Sequence, residues 1–428
     1  MNTFFKPIFF ILLFSFAMIS RSQQDSLVLP ESQTLDLQFL IVEALQNNPE
    51  IQSAQLEWDM MKTKIPQAQT LTAPELQYMR EEMPGFNIRD AMYSRFELMQ
   101  MFHYPGKLKT MGELARIESE HAHHDHLEKI NEVVAKLKMA YFDLWYVQQA
   151  MVLNRENIRL MNQFLQSAQT KFSTGETAMQ DIFKVKVELA MLDNELVELR
   201  QKELSAKAML MSILNRNEKD TMNYAFIPEE IIFSPTLEEV LNLAIQLRPM
   251  LKHDSLGVHE GNAMLSMAKL EYYPDFKVGL RYDNSPMTGF NGWSVSAGIT
   301  LPFALWTKGK VDAQVEEANI FIDKANSQLT STRNMIFSNI KSLYYKAQVY
   351  KQQLNTYQTI ILPQARQSLD ASLTAYQNGK TDFLMLLDSY RSLVDLTKMY
   401  FMLRMNFEQT NAELDKEVGY QNVAAIKN

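Results

Sequence analysis

The sequence predicts a mainly α-helical fold with a small β part, built twice over in tandem. Three observations carry that prediction. Segments 43–76 and 243–276 lie over one another at an offset of 200, with Ala44 on Ala244, Pro49 on Pro249, Ala68 on Ala268 and Pro74 on Pro274. Long tracts without proline carry apolar residues three and four apart, the spacing of one helix face. Pairs of segments of ten or eleven residues alternate apolar and polar, the period of a strand between two environments.

The N-terminus carries Lys6, an apolar run from Ile8 to Ile19, and small residues Ser20 and Ser22 before Gln23. That order reads as a secretory leader cleaved after Ser22; the alternative, a membrane anchor, would need a longer apolar run. The expected organisation is a leader over 1–22, a first repeat over 23–234 and a second over 235–428. The chain has no cysteine, which removes disulfides, thiolate metal sites, cysteine nucleophiles and a lipid on an N-terminal cysteine. Formal charge is −8, or −10 once Lys6 and Arg21 leave with the leader, which argues against a nucleic-acid partner.

Each half opens with a Leu-rich helix, at Leu35 or Leu237, interrupted at Asn48-Pro49 or Arg248-Pro249, because a residue before proline avoids the helical region. A second helix then runs to Pro74 or Pro274. Two strands are expected next. In the second half Phe276, Val278, Leu280 and Tyr282 alternate within 274–283, and Val295, Ala297, Ile299 and Leu301 within 293–303. The first-half counterparts carry Arg80, Glu81, Glu82, Arg95 and Glu97, and are assigned as strands because the repeat requires it. Further correspondences place Gly106 on Gly309, Tyr141 on Tyr345 and Gly175 on Gly379.

A helix from about 107 to 171 follows, roughly 95 Å long at 1.5 Å per residue. Its apolar stripe (Leu127, Ile130, Val134, Leu137, Tyr141, Leu144, then Met151 to Phe172) breaks at Gln148 and Arg155. Gly175 is the only glycine between Gly112 and Gly257, and Gly379 the only one between Gly309 and Gly419. A lone glycine beside Ser, Thr and Asn supplies the positive φ that ends one helix and reverses the chain into another. Each half is therefore expected to end in a long helical hairpin whose tip lies far from the strands. Four ten-residue strands match a tilted membrane span, but a spanning sheet must close, and four strands cannot close alone. The chain is thus expected to pool strands with copies of itself; the alternative is a soluble sheet packed on helices.

The tandem halves, the "NNPE" and "LRPM" breaks, the strand pairs after "APEL" and "YPDF", the turns "MQMFHYPGKL" and "GITLPFALWTKGK", and the tips "FSTGETAMQD" and "YQNGKTDFLMLLD" together resemble the TolC-type outer membrane efflux channels, nearest to the heavy-metal-efflux branch. The resemblance covers essentially all of the chain after the leader. It implies a homotrimer in outer membrane lipid, with a twelve-stranded β-barrel and an α-helical tunnel across the periplasm. It also implies a periplasmic adaptor and, through it, an inner-membrane pump of the RND type. It implies passive export of metal ions or small toxic compounds, with no enzymatic activity and no cofactor. The alternative from another class is a periplasmic coiled-coil adaptor.

Carried over by position, the resemblance implies adaptor contacts at Phe172, Thr174, Gly175, Glu176, Tyr376, Asn378, Gly379 and Lys380. It implies a channel gate at Asp388, where family members place an inward acidic residue. Met385 stands where a second acidic ring is usual. Asp181 falls where a carboxylate ties neighbouring helices through a basic partner; the usual arginine is Thr381 here, beside Lys380. Independently of the resemblance, "HAHHDH" gathers His121, His123, His124 and His126 at i,i+3 spacings that can chelate a divalent metal. The other reading of that stretch is a polar, solvent-facing helix surface.

Overall fold

A computed structural model describes residues 34–81, 93–175, 177–217, 224–228, 231, 235–285, 289–304 and 306–419. The expected leader lies outside the described residues. The chain begins with β1 (Thr34–Leu35), α1 (Leu37–Asn47) and α2 (Pro49–Gln69). Asn48 makes the break between the helices: its side chain accepts from the N–H groups of Glu50 and Ile51 and donates to the Ile213 carbonyl at 2.8 Å. Strands β2 (Glu75–Glu81) and β3 (Tyr93–Phe102) lead into α3 (Lys107–Ser173), α4 (Met179–Leu214) and the short β4 (Tyr224–Ala225), which pairs in parallel with β1. The second half repeats the order with α5 (Leu237–Leu247), α6 (Pro249–Leu270), β5 (Phe276–Ser285), β6 (Phe290–Ile299) and α7 (Lys308–Thr356). A π-helical turn (Tyr357–Ile361) then joins α7 to α8 (Leu362–Gln377), and α9 (Phe383–Val418) completes the hairpin. Helices α2 and α6 stop four or five residues short of the expected Pro74 and Pro274, and the remaining residues lead into the strands.

The four long strands form one antiparallel sheet in the order β2-β3-β5-β6, so the two halves meet between β3 and β5. The register stacks the apolar residues in rows. Leu76, Leu98, Leu280 and Val295 are successive partners, as are Tyr78, Phe96, Tyr282 and Trp293. All of these except Tyr282 are exposed, up to 78% for Val295, so one face of the sheet is an uncovered apolar surface. The opposite face holds Glu97 beside Arg281 and Arg95 beside Asp283, with Arg95 Nε 2.8 Å from the Asp283 carboxylate. The charges that obscured the first-half strands thus meet partners about 190 positions later in sequence.

At the foot of the sheet the "YPGK" turn docks on the other half. Lys107 is almost fully buried, its ammonium 3.1 Å from Asp275 and 3.4 Å from Glu271. The Tyr104 N–H donates to Asp275 at 2.8 Å, and the Tyr104 and Tyr273 rings stack 4.4 Å apart.

The apolar stripe of α3 is buried against α1, α2 and α4 through Leu40, Val134, Leu137, Tyr141, Leu144, Leu210 and Leu214. Gln148, the break in the stripe, is buried because its carbonyl accepts the Ala225 N–H at 2.9 Å. Tyr141 is buried too, and its hydroxyl donates to the Leu35 carbonyl at 2.8 Å. Its counterpart in the second half is Tyr344, not the expected Tyr345. Tyr344 is buried and donates to the Pro235 carbonyl, whereas Tyr345 is 56% exposed. The pairing of Gly106 with Gly309 also differs in role: Gly106 caps α3 at φ 103°, while Gly309 lies inside α7 without a left-handed φ.

Candidate docking tips, gate and histidine seam

The hairpin ends follow from their glycines. Asn378 closes α8, Gly379 takes φ 68°, and the N–H groups of Gly379 and Lys380 return to the carbonyls of Tyr376 and Ala375. That pair of bonds is the Schellman closure, which requires a left-handed residue after the helix. Gly175 takes φ 78° and donates to the Phe172 carbonyl in the same way. Around both glycines an added Cβ would meet nothing within 4 Å, so only the backbone conformation constrains them. The chain re-enters helix at Asp382, whose carboxylate accepts the Met385 N–H at 2.9 Å. An acidic residue just before an apolar run is an N-cap signal that sequence reading passed over.

Of the expected contact residues, Phe172, Thr174, Gly175, Asn378, Gly379 and Lys380 are exposed on the tips. Glu176 lies outside the described residues. Tyr376 is different: it is 6% exposed and sits in a core with Met161, Phe164, Val185, Phe383, Leu386 and Tyr390. Its ring presses edge-on against Phe383, and Lys171 both covers it at 4.4 Å and donates to its carbonyl at 2.8 Å. Tyr376 therefore fastens the two tips together from inside. Burial, reinforced by the nearby Asp181 carboxylate, pushes its phenol up from the usual value.

Asp181 is engaged within its own hairpin: Thr177 donates to it at 2.6 Å and Lys184 lies 3.6 Å away. Above the tips, α4 and α9 are cross-linked by two charged pairs one heptad apart. Glu188 receives Arg391, and Glu195 receives Lys398 at 2.6 Å. The hydrogen bond from Arg391 to Glu188 raises the guanidinium pKa above its ordinary value. Met385 and Asp388 are both exposed, on the α9 face opposite Leu386, Leu387 and Tyr390, and the Thr381 hydroxyl lies 3.1 Å from the Met385 sulfur.

Three of the four histidines of "HAHHDH" divide between two neighbours. His123 and His126 turn to α2 and stack on Trp58, at 4.2 and 6.2 Å between ring centroids. His121 turns to α6, where Glu260 lies 3.4 Å from its Nε2 and the His253 ring 4.3 Å away. The expected chelate of His121, His123, His124 and His126 is therefore not assembled: residues two apart on a helix point to different faces. Among the described residues no group of three or more His, Asp or Glu side chains already stands around one point as metal ligands do. What sequence reading missed is that His253 and His259 of the second repeat join the same seam, for which no local sequence signal exists. Burial lowers the pKa values of His121, His123, His124 and His126, that of His124 to about 4.

A rod of paired helices with an exposed apolar sheet at one end and glycine tips at the other defines a membrane-channel component. Residues 40–216 and 240–420 match the outer membrane efflux protein family, one match per repeat, and the chain belongs to that family. It is 21% identical over 385 residues to the cobalt-zinc-cadmium resistance protein CzcC of Cupriavidus metallidurans, covering 90% of each. Its fold is similar to that of the channel CusC, with a TM-score of 0.78 at 15% identity over 90% of this chain and 93% of that one. It is also similar to the open state of the Neisseria gonorrhoeae MtrE outer membrane channel, with a TM-score of 0.74 at 16% identity over 90% and 88%. The family is that of outer membrane efflux proteins and the fold that of their channels, which sets aside the adaptor alternative. Among the described residues no helix is long and apolar enough to cross a membrane.

Proposed function

We propose that three copies of the chain close their sheets into one twelve-stranded barrel in the outer membrane and continue as a helical tunnel through the periplasm. The duct exports metal ions or small toxic compounds passively, while an inner-membrane pump of the RND type, coupled through a periplasmic adaptor at the tips, supplies the energy. The observation that carries this reading is the four-stranded sheet with an exposed apolar face. Within one chain β2 and β6 each have a strand on one side only. In lipid such edges leave backbone groups unpaired, and closure with copies of the same sheet pairs them all. Aromatic rows at the two ends of the sheet, Tyr78–Phe96–Tyr282–Trp293 and Phe102–Phe276, suit the two membrane interfaces. The resemblance to CzcC, a cobalt-zinc-cadmium resistance protein, favours metal cations as cargo. Native mass measurement of detergent-extracted protein should give three chains per particle, and the particle should conduct ions in a planar bilayer. A stable monomer that keeps all four strands would refute the reading.

A further inference from the structure

Six of the seven histidines fall on two helices that run antiparallel against each other: His121, His123, His124 and His126 on α3, His253 and His259 on α6. Four side chains at this seam form a rectangle. His121 faces Glu260 at 3.4 Å; one turn along α3, Asp125 faces His253 at 3.7 Å. The two imidazoles meet on the diagonal, edge to face, with centroids 4.3 Å apart. We propose that this seam binds a divalent transition-metal cation, with His121 and Asp125 from the first repeat and His253 and Glu260 from the second as its ligands.

The donor chemistry fits such an ion. Tetrahedral ligands about 2.0–2.2 Å from a metal lie about 3.3–3.6 Å from one another, the present separation of His121 and Glu260. Two imidazoles with two carboxylates suit zinc, cobalt(II) or nickel(II), whereas copper(I) prefers sulfur donors. Nδ1 of His121 is buried without a hydrogen-bond partner among the described residues, and so is Oδ2 of Asp254 next to His253. Buried polar atoms in that condition are costly, and a bound cation would satisfy at least one of them.

His253 now rests 3.1 Å from Asp254 and 3.7 Å from Asp125, so an ion would close the set by drawing the two facing pairs, His121–Glu260 and Asp125–His253, together through side-chain rotation. An acidic cleft lies beside the seam. A cleft of about 410 Å³ between the same helices is lined by Glu113, Glu120 and His259, next to His121 and Glu260 in sequence. Arg116, paired with Glu113 and Glu120, stands in the same cleft and tempers its negative charge.

The site deepens the export reading by naming a cargo class, but its test needs no transport. Full-length protein in detergent is titrated with cobalt(II) chloride, following the visible absorption of a tetrahedral ion, and with zinc chloride by equilibrium dialysis. One ion per chain is expected. His121→Gln and His253→Gln should each weaken binding by at least about tenfold, Glu260→Gln less, and His123→Gln/His126→Gln not at all. Circular dichroism on each variant separates lost ligands from lost fold. No stoichiometric binding, or binding unaffected by His121→Gln and His253→Gln in folded protein, overturns the site. If the channel conducts in bilayers while the metal test fails, only the site falls. If the metal binds but no channel forms, only the export reading does.

Discussion

Replacing Asp275 by alanine tests whether the junction between sheet and helices is held by one buried charge. Lys107 is almost completely buried, and its ammonium is answered by Asp275, itself largely buried, and by the more exposed Glu271. Breaking a buried ion pair from one side costs about 3–5 kcal/mol, because the remaining charge stays desolvated. Glu271 still answers part of that charge, which places this loss at the lower end, about 3 kcal/mol. The Tyr104 N–H also loses its acceptor, which adds about 1 kcal/mol. The expected total is about 4 kcal/mol, against about 0–1 kcal/mol for Glu271→Ala, whose carboxylate is a partly exposed partner. Scaling the per-residue unfolding entropy to this chain, 4 kcal/mol is roughly a 4–5 °C fall in the thermal midpoint. Circular dichroism at a fixed scan rate in detergent reads that shift. Adding Lys107→Met to Asp275→Ala should restore about 2 kcal/mol of it, since the orphaned charge is then gone. If Asp275→Ala lowers the midpoint no further than Glu271→Ala, the junction does not depend on this pair.

Two further perturbations address the tips. Gly379→Val forces a β-branched residue into φ 68°, a strain of about 1–3 kcal/mol, while Gly379→Asn is tolerated because asparagine visits that region. Valine, but not asparagine, should speed tryptic cleavage beside Lys380 and impair export; equal cleavage of all three proteins would show that the turn does not need its glycine. If the proposed trimer turns its three Asp388 carboxylates toward one axis, Asp388→Asn should weaken block of the conducting channel by divalent cations, whose attraction scales with the ring's charge. Unchanged block would make Asp388 ordinary helix surface.

What the sequence disclosed depended on how local the controlling interaction is. A hairpin tip is local: one glycine at positive φ decides it, and both Gly175 and Gly379 are where they were expected. The second-half strands are local as well, since their alternation needs no partner to be visible. The first-half strands are not, because Arg95 and Glu97 face Asp283 and Arg281 of the other half across the sheet. Tyr376 looked like a contact residue from its place next to the tip, but the opposite hairpin, through Phe164 and Lys171, covers it. The six histidines of α3 and α6 are likewise divided between two repeats, and only the four clustered within 121–126 stand out in sequence.

The mismatched tyrosines have a single physical cause. Before the π turn the buried residues of the two repeats correspond at an offset of 203: Val133 with Ile336, Leu137 with Ile340, Tyr141 with Tyr344, Leu144 with Ala347, and Met151 with Leu354. After it the offset is 204, as Gly175 and Gly379 show. The second repeat therefore carries one extra residue between Leu354 and Gly379. In a continuous α-helix one added residue would rotate everything beyond it by about 100°, turning Leu369 and Tyr376 away from the core they share with Phe383 and Leu386. A π turn spends one more residue per turn, and Tyr357–Ile361, closed by the Leu362 N–H on the Tyr357 carbonyl, takes up that residue in place. Pro363 follows at once, where the missing N–H and the bulk of its ring would otherwise disrupt an uninterrupted α-helical ladder. A helix register that cannot be counted from glycine to tyrosine at one fixed offset is thus what keeps the second tip in phase with the first.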